Sequence, residues 1–171
     1  HDALTGLPTR RLIDERFTMT FSIARRYKTK MAVMFLDLDG FKAINDNHGH
    51  DFGDAILQHV AVQLRSSIRE TDTVGRIGGD EFLVIAGEIY TRDDAEQIAN
   101  KIIPAINTPF VLNGLEVSVG VSIGIALYPD DGDNISHLIK QADRAMYEAK
   151  KSGKNGYGFA GNVFVDKRLL V

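Results

Sequence analysis

One stretch of the sequence decides the predicted architecture: Thr73-Val74-Gly75-Arg76-Ile77-Gly78-Gly79-Asp80-Glu81-Phe82-Leu83-Val84-Ile85-Ala86. Its two ends, Thr73–Ile77 and Phe82–Ala86, are short apolar runs typical of strands, and the paired glycines between them indicate a hairpin turn. Two acids, Asp80 and Glu81, follow the turn where the second strand begins. The chain is therefore predicted to have a hairpin with two carboxylates at its tip. Alone, such a pattern is more often a turn with solvated acids.

A second predicted strand, Met31–Leu36, also ends in carboxylates. Its continuous apolar run is typical of a strand that is buried on both faces. Asp37 and Asp39 stand two residues apart after it, so their side chains point to the same face of the sheet. Carboxylates that lie so close repel one another unless a cation joins them, and hard oxygen ligands favour Mg²⁺ or Mn²⁺. A polar strand end beside the turn residue Gly40 is the alternative interpretation.

The two acidic strand ends indicate more in combination than each does alone. If they converge, their carboxylates form one site that can hold metal ions against phosphates. Phosphoryl and nucleotidyl transfer need this arrangement, because the metal ions bind the phosphates and activate a hydroxyl. The residues therefore favour a metal–phosphate site over two solvated turns.

Helices and further strands surround these two segments. Apolar residues at helical spacing predict helices over Thr9–Tyr27, from Asp51 as the cap through Ile68, over Thr91–Asn107 and over Ile135–Lys151. Phe110–Leu112 and Glu116–Leu127 are predicted to pair around Asn113-Gly114, and Tyr157 with Phe159 predicts a last short strand. Hairpins mixed with helices predict the α+β class, with a mostly antiparallel central sheet flanked by helices. They exclude a doubly wound parallel fold.

Composition bounds the function further. The 171 residues are 44% hydrophobic and 25% charged, which is ordinary for one globular domain. Twenty basic and twenty-three acidic residues give a net charge of -3, so the bulk positive charge of a nucleic-acid-binding protein is missing. Without cysteine, thiolate metal sites and cysteine nucleophiles are excluded. The longest uncharged stretches, Ile102–Leu115 and Val117–Pro129, are shorter than the roughly 18 residues of a membrane span.

Several segments resemble one family. Gly78–Phe82 spells the signature of the GGDEF domain of diguanylate cyclases, and Asp2–Arg10 resembles the opening motif of that family. Phe35–Asp46 is similar to its metal and phosphate segment, Gly49–Asp54 to its guanine-binding segment, and Ala142–Lys150 with Gly153–Asn155 to its closing motif. The resemblance covers nearly the whole chain, in order and at the family's spacing. It implies a fold like that of nucleotide cyclases and polymerase palms.

The resemblance also implies a metal and catalytic site. Asp37 and Asp80 are expected to hold Mg²⁺ or Mn²⁺, two ions per site, with help from the backbone carbonyl of Leu38. Glu81 is expected beside the ions as a further ligand or as a proton acceptor. Which of Asp80 and Glu81 takes the proton stays open.

Substrate residues follow from the same resemblance. Asn45 and Asp54 are expected to bind the guanine edge, since a carboxylate accepts from guanine N1–H and N2–H₂. Further substrate contacts are expected from Gly40, Phe41, Lys42, Lys150 and Lys154, the lysines binding the triphosphate. Lys154 stands where arginine is commoner, so the bidentate fork is lost. The alternatives are a first-turn acid at Asp54, a turn residue at Asn45 and plain surface charge at the lysines.

Two residues outside the active site complete the expectations. Arg69 and Asp72 resemble the inhibitory product site of the family, because an arginine can donate twice to a guanine Hoogsteen edge. As a bare pattern, the pair is a surface ion pair at a helix end. Tyr147, within the closing motif, is expected in the core.

The implied function is that of a diguanylate cyclase, which condenses two GTP into cyclic di-GMP and two pyrophosphates under product inhibition. Each domain would present one GTP, so catalysis needs a homodimer. One alternative is a non-catalytic module that binds GTP or cyclic di-GMP; such relatives usually lose signature acids, which are intact here. Another is a different nucleotide cyclase or polymerase-like enzyme.

The wider setting is also an expectation. The domain is expected to span residues 1–160, with 161–171 a tail or the start of a linker in a longer multidomain protein. It is expected in the cytoplasm, without nucleic-acid or membrane contact of its own. A membrane anchor elsewhere in the longer protein is compatible with this expectation. Sensor or phosphodiesterase domains are expected in that longer protein.

Overall fold

The computed structural model describes residues 1–161, which follow the predicted alternation of helices and strands. In chain order, the elements are α1 Arg10–Tyr27, β1 Lys30–Asp39, α2 Phe41–His48, α3 His50–Ser67, β2 Thr73–Gly78, β3 Glu81–Ile89, α4 Arg92–Asn107, β4 Phe110–Leu112, β5 Leu115–Val117, β6 Gly120–Tyr128, α5 Ile135–Lys151 and β7 Gly156–Phe159. The predicted tail or linker, 161–171, lies outside the described residues apart from Gly161.

Five strands form the central sheet in the order β2-β3-β1-β6-β7. β1 pairs antiparallel with β3 on one side and with β6 on the other, and β2 pairs antiparallel with β3. The edge pair β6–β7 is parallel. The predicted α+β class with a mostly antiparallel sheet is therefore confirmed.

The central strand β1 is buried on both faces, as its apolar run predicts. Odd-numbered residues of Met31–Phe35 pack into a core with side chains of α1 and α5. Even-numbered residues of Ala32–Leu38 pack into a larger core with side chains of α3 and α4. Because side chains alternate along a strand, the next odd positions, Asp37 and Asp39, lie on the α5 face of the sheet.

The predicted strand Glu116–Leu127 is wrong in its first part. β5 ends at Val117, β6 begins at Gly120, and β4 with β5 forms a separate two-stranded sheet. Between them, the Ser118 hydroxyl donates to the Asn107 carbonyl at 3.0 Å, and Val119 is buried in the core. These contacts fix the chain against the end of α4, which interrupts the alternation.

The start of α3 also differs from the prediction. Asp51 is not its cap: the helix begins at His50, and Gly49 is the N-cap with φ 89. Glycine adopts this left-handed conformation without steric penalty. The boundary moves because Phe41–His48 forms α2, a two-turn helix too short to show a clear period in the sequence.

Candidate active site

The carboxylates of the hairpin tip and of β1 lie side by side, because their strands are neighbours in the sheet. Asp37 is paired with Glu81 in the β1–β3 register. The backbone N–H of Leu38 donates to the carbonyl oxygen of Asp80 at 3.3 Å. The turn places Gly79 at φ 45, a conformation that favours glycine. The two acidic strand ends of the sequence analysis are thus adjacent.

Asp37 has an unusual electrostatic environment. Burial, and after it the neighbouring Asp80 carboxyl, raises the pKa of Asp37 from 3.8 to about 7, although Lys150 opposes the rise. Its Oδ1 atom is buried and has no hydrogen-bond donor within residues 1–161. Two ionised carboxylates repel one another and cannot donate to each other. Asp37 and Asp80 therefore favour a shared proton or a cation between them.

Glu81 is the third acid of this cluster. Burial raises the pKa of Glu81, and the charges of Asp143 and Asp80 add to the rise. Burial also raises the pKa of Asp143, which α5 brings towards the hairpin tip. The tip therefore lies in a negative field, which a cation relieves.

This donor set suits a divalent metal ion. Mg²⁺ is usually bound by one or two protein carboxylates, with waters and substrate phosphates completing its shell. Within residues 1–161, no group of three or more acid or histidine side chains forms a complete metal cage. The unpartnered oxygen of Asp37, the adjoining Asp80 carboxylate and the Leu38 carbonyl fit the protein's share of such a shell.

Lys150 reaches the acids from α5. Its Nζ atom lies 3.5 Å from carboxylate oxygens of both Asp37 and Asp39. It also donates to the Leu38 carbonyl at 3.3 Å. The family resemblance implies that Lys150 contacts the triphosphate and that the Leu38 carbonyl binds a metal ion. A metal ion at this carbonyl would repel the ammonium group, so both assignments hold together if Lys150 turns from the carbonyl to phosphate.

Asp39 has a structural role, although it shares a face with Asp37. Its Oδ1 accepts from the Ser122 hydroxyl at 2.7 Å, and its Oδ2 accepts from the backbone N–H of Asn155 at 2.8 Å. The side-chain amides of Asn155 and Asn107 exchange two hydrogen bonds of 2.8 Å. This network, which the sequence analysis missed, ties the end of β1 to β6 and to the loop after α5.

A second missed contact supports the acidic turn. Arg76 of β2 donates from Nη1 to both carboxylate oxygens of Asp2 at 3.2 Å, and from Nε to the Gly79 carbonyl at 2.9 Å. Although burial opposes it, hydrogen bonds from Thr5 and Arg76 lower the pKa of Asp2. The opening segment of the chain therefore holds the turn that carries Asp80.

The expected guanine-binding residues lie on α2 and α3. A Cβ atom at Gly53 would collide with Oδ1 of Asn45, so this amide lies against the first turn of α3. That Oδ1 is buried and has no partner within the described chain, whereas the neighbouring Asp54 is exposed. An amide oxygen and a carboxylate are acceptors that suit a donor-rich edge such as guanine N1–H and N2–H₂.

The link from β1 to α2 lies between the acids and these acceptors. Gly40 caps α2 at φ 70, Phe41 is buried in the core, and Lys42 is exposed. A helix N-terminus favours anions. This end of α2 therefore suits phosphate groups beside the cation site.

The end of α5 contains the remaining expected residues. Lys154 is exposed in the loop after the helix, next to Asn155, which holds Asp39. Tyr147 is 59% exposed, so its expected place in the core is wrong. The buried stripe of α5 includes Met146 and Ala149, and Tyr147 falls outside it.

Comparison with known proteins identifies the family. A family model described as diguanylate cyclase, GGDEF domain, matches residues 1–156. The chain belongs to the GGDEF family. The matched range contains the hairpin tip, the end of β1, α2, α3 and the whole of α5.

Similar proteins include a named diguanylate cyclase and solved GGDEF domains. The bifunctional diguanylate cyclase/cyclic di-GMP phosphodiesterase MucR of Pseudomonas aeruginosa is 46% identical over 159 residues, which cover 93% of this chain and 23% of MucR. The solved GGDEF domain of TpbB from Pseudomonas aeruginosa is 40% identical with a TM-score of 0.90, covering 94% of each chain. The GGDEF domain of DgcB from Caulobacter crescentus, solved with cyclic di-GMP, is 25% identical with a TM-score of 0.83, covering 94% of this chain and 95% of that one.

The chain spans only part of its curated relatives. It covers 23% of MucR and 36% of the diguanylate cyclase TpbB of Pseudomonas aeruginosa. Within residues 1–161, no helix combines the length and the hydrophobicity that crossing a membrane requires.

The expected inhibitory pair of this GGDEF domain is an ion pair in the structure. Nε and Nη2 of Arg69 donate to the two carboxylate oxygens of Asp72 at 2.9 Å, and Nη2 also donates to the Gly87 carbonyl at 2.6 Å. The hydrogen bond with Asp72 raises the pKa of Arg69. The Asp72 side chain is buried, and that of Arg69 is 41% exposed. A ligand base at Arg69 must therefore exchange with bonds already made.

Two cavities adjoin Arg69. One, of about 260 Å³, is lined by residues that include Glu88, Tyr90, Asp94 and Lys101. The other, of about 560 Å³, is lined by residues that include Arg16, Arg65, Glu70 and Asp72. Within β3, Gly87 stands six residues after Glu81, which corresponds to about 20 Å along the strand. A ligand at Arg69 therefore lies away from the acids of the hairpin tip.

Proposed function

We propose that this GGDEF domain is a diguanylate cyclase, which condenses two GTP into cyclic di-GMP and two pyrophosphates. The observation that carries the proposal is the intact acid cluster. Glu81 lies opposite Asp37 in the β1–β3 strand register, and a buried Asp37 oxygen has no hydrogen-bond donor within the described chain. Such a cluster suits a metal-bound triphosphate. The comparisons place the chain in the GGDEF family, whose named members include diguanylate cyclases. The cyclase activity of this chain is our inference.

Asp37, Asp80 and the Leu38 carbonyl would hold two Mg²⁺ or Mn²⁺ ions, with Glu81 as a further ligand or a proton acceptor. Bound ions of this kind stabilise the charge on the transferred phosphate and help to ionise the attacking hydroxyl.

The chain's own residues orient the substrate. Asn45 and Asp54 bind the guanine edge, and Lys150 joins Lys42 and Lys154 at the triphosphate. The 3′-oxygen of one GTP then bonds to the α-phosphorus of the other, and the bond to the β-phosphate breaks. Asp80 or Glu81 accepts the hydroxyl proton.

Two copies of the domain are needed for this chemistry. Each copy binds one GTP, and the two acid clusters face each other across a two-fold axis. Each step forms one phosphodiester bond, so two steps close the ring and release two pyrophosphates. The active species is therefore a homodimer.

Incubation with GTP and Mg²⁺, followed by mass spectrometry, tests the proposal. We expect cyclic di-GMP and pyrophosphate in a ratio of about one to two, since each ring closure releases two pyrophosphates. Parallel incubations with ATP, and with GTP plus EDTA, are the controls. GTP binding without any product would favour a non-catalytic regulatory module.

One observation favours that second function. The ammonium group of Lys150 donates to the Leu38 carbonyl, which the cyclase mechanism assigns to a metal ion. In a regulatory module this contact would persist with nucleotide bound. Calorimetric GTP affinity that is the same in Mg²⁺ and in EDTA would support the module and contradict the cyclase.

Substitution of Asp54 by alanine tests the guanine site. We expect the GTP over ATP preference in calorimetry to fall by about 10- to 150-fold, because a hydrogen bond to a charged group contributes about 1.5–3 kcal/mol. Asp51→Ala is the matched control, since Asp51 is an exposed acid of α3 that precedes Asp54 by three residues. Equal loss of preference in both variants would indicate an effect of helix charge.

Substitution of Arg69 by alanine tests product inhibition, which we propose for the Arg69 and Asp72 pair. We expect the inhibition constant for cyclic di-GMP to rise by about 5- to 150-fold, because a bidentate base contact contributes about 1–3 kcal/mol. The initial rate of GTP turnover should change little, since Arg69 lies away from the acids. Arg65→Ala is the control, because Arg65 lines only the larger of the two cavities, whereas Arg69 lines both. An unchanged constant in Arg69→Ala would leave the pair as a structural ion pair.

We also propose that residues 1–160 form the catalytic unit of a longer cytoplasmic or membrane-anchored protein. MucR, named as bifunctional, combines a similar region with a much longer chain. By analogy, the longer protein that contains this domain is proposed to have sensor or phosphodiesterase regions as well.

A further inference from the structure

Tyr147 is an aromatic residue that α5 leaves in solvent. The apolar stripe of this helix, from Leu138 to Ala149, is buried, whereas the Tyr147 side chain is 59% exposed. Its ring has a cation beside it, because Nζ of Lys151 lies 5.4 Å from the ring centroid. The mechanism described above gives this residue no role.

The position of Tyr147 is next to the acid cluster. Asp143, Tyr147 and Lys150 follow one another at intervals of four and three residues, so they share one face of α5. Lys150 contacts Asp37, and Asp143 interacts electrostatically with Glu81. Tyr147 therefore lies between two residues that reach the acids, on the α5 face of the sheet.

The guanine acceptors lie on the other face. Asn45 and Asp54 belong to α2 and α3, and α3 packs on the sheet face opposite to α5. A GTP whose base binds these acceptors and whose phosphates lie at the end of β1 does not extend over Tyr147. The condensation needs a second guanine nucleotide, and the α5 face is the side of the cluster that this first GTP leaves uncovered.

We propose that Tyr147 is a stacking surface for the guanine base of the second GTP, the one that a partner domain presents. This inference rests on the proposed cyclase function. Hydrogen bonds hold a base by its edge and leave its face open, so one base can be bound by both domains. Stacking of a base on an aromatic ring is favourable by itself, and a neighbouring cation strengthens nucleotide binding.

A tryptophan reporter tests the contact directly. The chain has no tryptophan, so Tyr147→Trp introduces a single indole whose fluorescence a stacked guanine quenches. With a non-hydrolysable GTP analogue and Mg²⁺ at saturation, we expect quenching that grows with protein concentration, because a second domain supplies the base. No quenching, or quenching independent of protein concentration, would overturn the proposal.

The chain offers a matched control for this reporter. Tyr27 of α1 is 65% exposed, and the guanidinium carbon of Arg26 lies 5.4 Å from its ring centroid. It has an exposure similar to that of Tyr147 and a cation at the same distance, and it is not on the helix that reaches the acids. Tyr27→Trp should show no concentration-dependent quenching, and equal quenching in both variants would contradict the proposal.

Activity separates stacking from a structural role. Tyr147→Ala should lower cyclic di-GMP formation by about 5- to 150-fold at limiting protein, the range that loss of one base stack implies. GTP affinity of the single domain should stay unchanged, and Tyr147→Phe should restore the rate. Wild-type rates in Tyr147→Ala, with Tyr27→Ala as the reference, would overturn this inference alone. Absence of product from the wild-type chain would overturn the cyclase function, and this inference with it.

Discussion

Replacement of Glu81 by glutamine is expected to slow cyclic di-GMP formation by about 100- to 1,000-fold without unfolding the domain. Glu81 begins β3 opposite Asp37, where burial and the charges of Asp143 and Asp80 raise its pKa. Glutamine keeps the shape but neither accepts the hydroxyl proton nor supplies negative charge to metal ions. Loss of one group that stabilises transition-state charge typically costs about 2.7–4 kcal/mol, which gives this range of rates.

The measurement is an initial rate of product formation, with thermal unfolding recorded for each variant. Glu116→Gln is the matched control, because Glu116 is an exposed acid of the separate β4–β5 sheet. Asp80→Ala should show a loss of similar size, since Asp80 adjoins Asp37 in the same cluster. A wild-type rate in Glu81→Gln with a strong loss in Asp80→Ala would assign the proton to Asp80. Wild-type rates in both would contradict the catalytic role of the hairpin tip.

The acid cluster could be anticipated from the sequence because its parts are local. An apolar run followed by Asp37, and a glycine turn followed by Asp80 and Glu81, are each visible within a few residues. Whether the two segments lie together depends on the pairing of their strands, which the order of hairpins and helices along the chain constrains. β1 beside β3 then brings Asp37 opposite Glu81.

Asp37 and Asp39 show what local pattern cannot separate. Both acids lie at the end of the same strand and point to the same face, so the sequence pattern predicts the same role for each. Asp39 is bound by Ser122 and Asn155, which are 83 and 116 residues away in the chain, whereas Oδ1 of Asp37 has no donor within residues 1–161. Their different roles depend on contacts that only the folded chain creates.

Arg76 and Tyr147 illustrate two other limits. The salt bridge of Arg76 with Asp2 joins residues 74 positions apart, and nothing in either segment indicates the other. Tyr147 was expected in the core, as a residue of the closing motif with no catalytic role. Its phase in the buried stripe of α5 decides otherwise, and phase depends on which residues actually meet the sheet.

Replacement of Asp37 by asparagine is expected to change stability in opposite directions with and without metal ions. In the metal-free chain, burial and the Asp80 carboxyl raise the pKa of Asp37 from 3.8 to about 7. Between these values the folded protein binds more protons at this site than the unfolded chain does. Stability therefore falls as the pH rises from about 4 to about 7, and it stays lowered above that range.

Asparagine removes this titration and the repulsion with Asp80. In EDTA at pH 8, Asp37→Asn should therefore unfold at a higher temperature than the wild type, and the difference should shrink towards pH 5. A net effect of about 1 kcal/mol corresponds to a shift of about 2–4 °C in a domain of this size. Asp39→Asn is the contrasting variant, because it weakens bonds to Ser122 and Asn155 and should destabilise the fold at both pH values.

Mg²⁺ should reverse the order. Wild-type protein with GTP analogue and Mg²⁺ gains stability in proportion to ligand binding, whereas Asp37→Asn has lost the charged ligand and should gain much less. Even loss of a residue that merely orients a metal ligand commonly weakens metal affinity by 10- to 100-fold, so we expect a loss of at least about tenfold here, together with loss of cyclase activity. Differential scanning fluorimetry over a pH and Mg²⁺ grid measures all of these effects. Identical metal-induced stabilisation of the two proteins would show that Asp37 does not bind the metal ion, and the raised pKa would then reflect only a proton shared with Asp80.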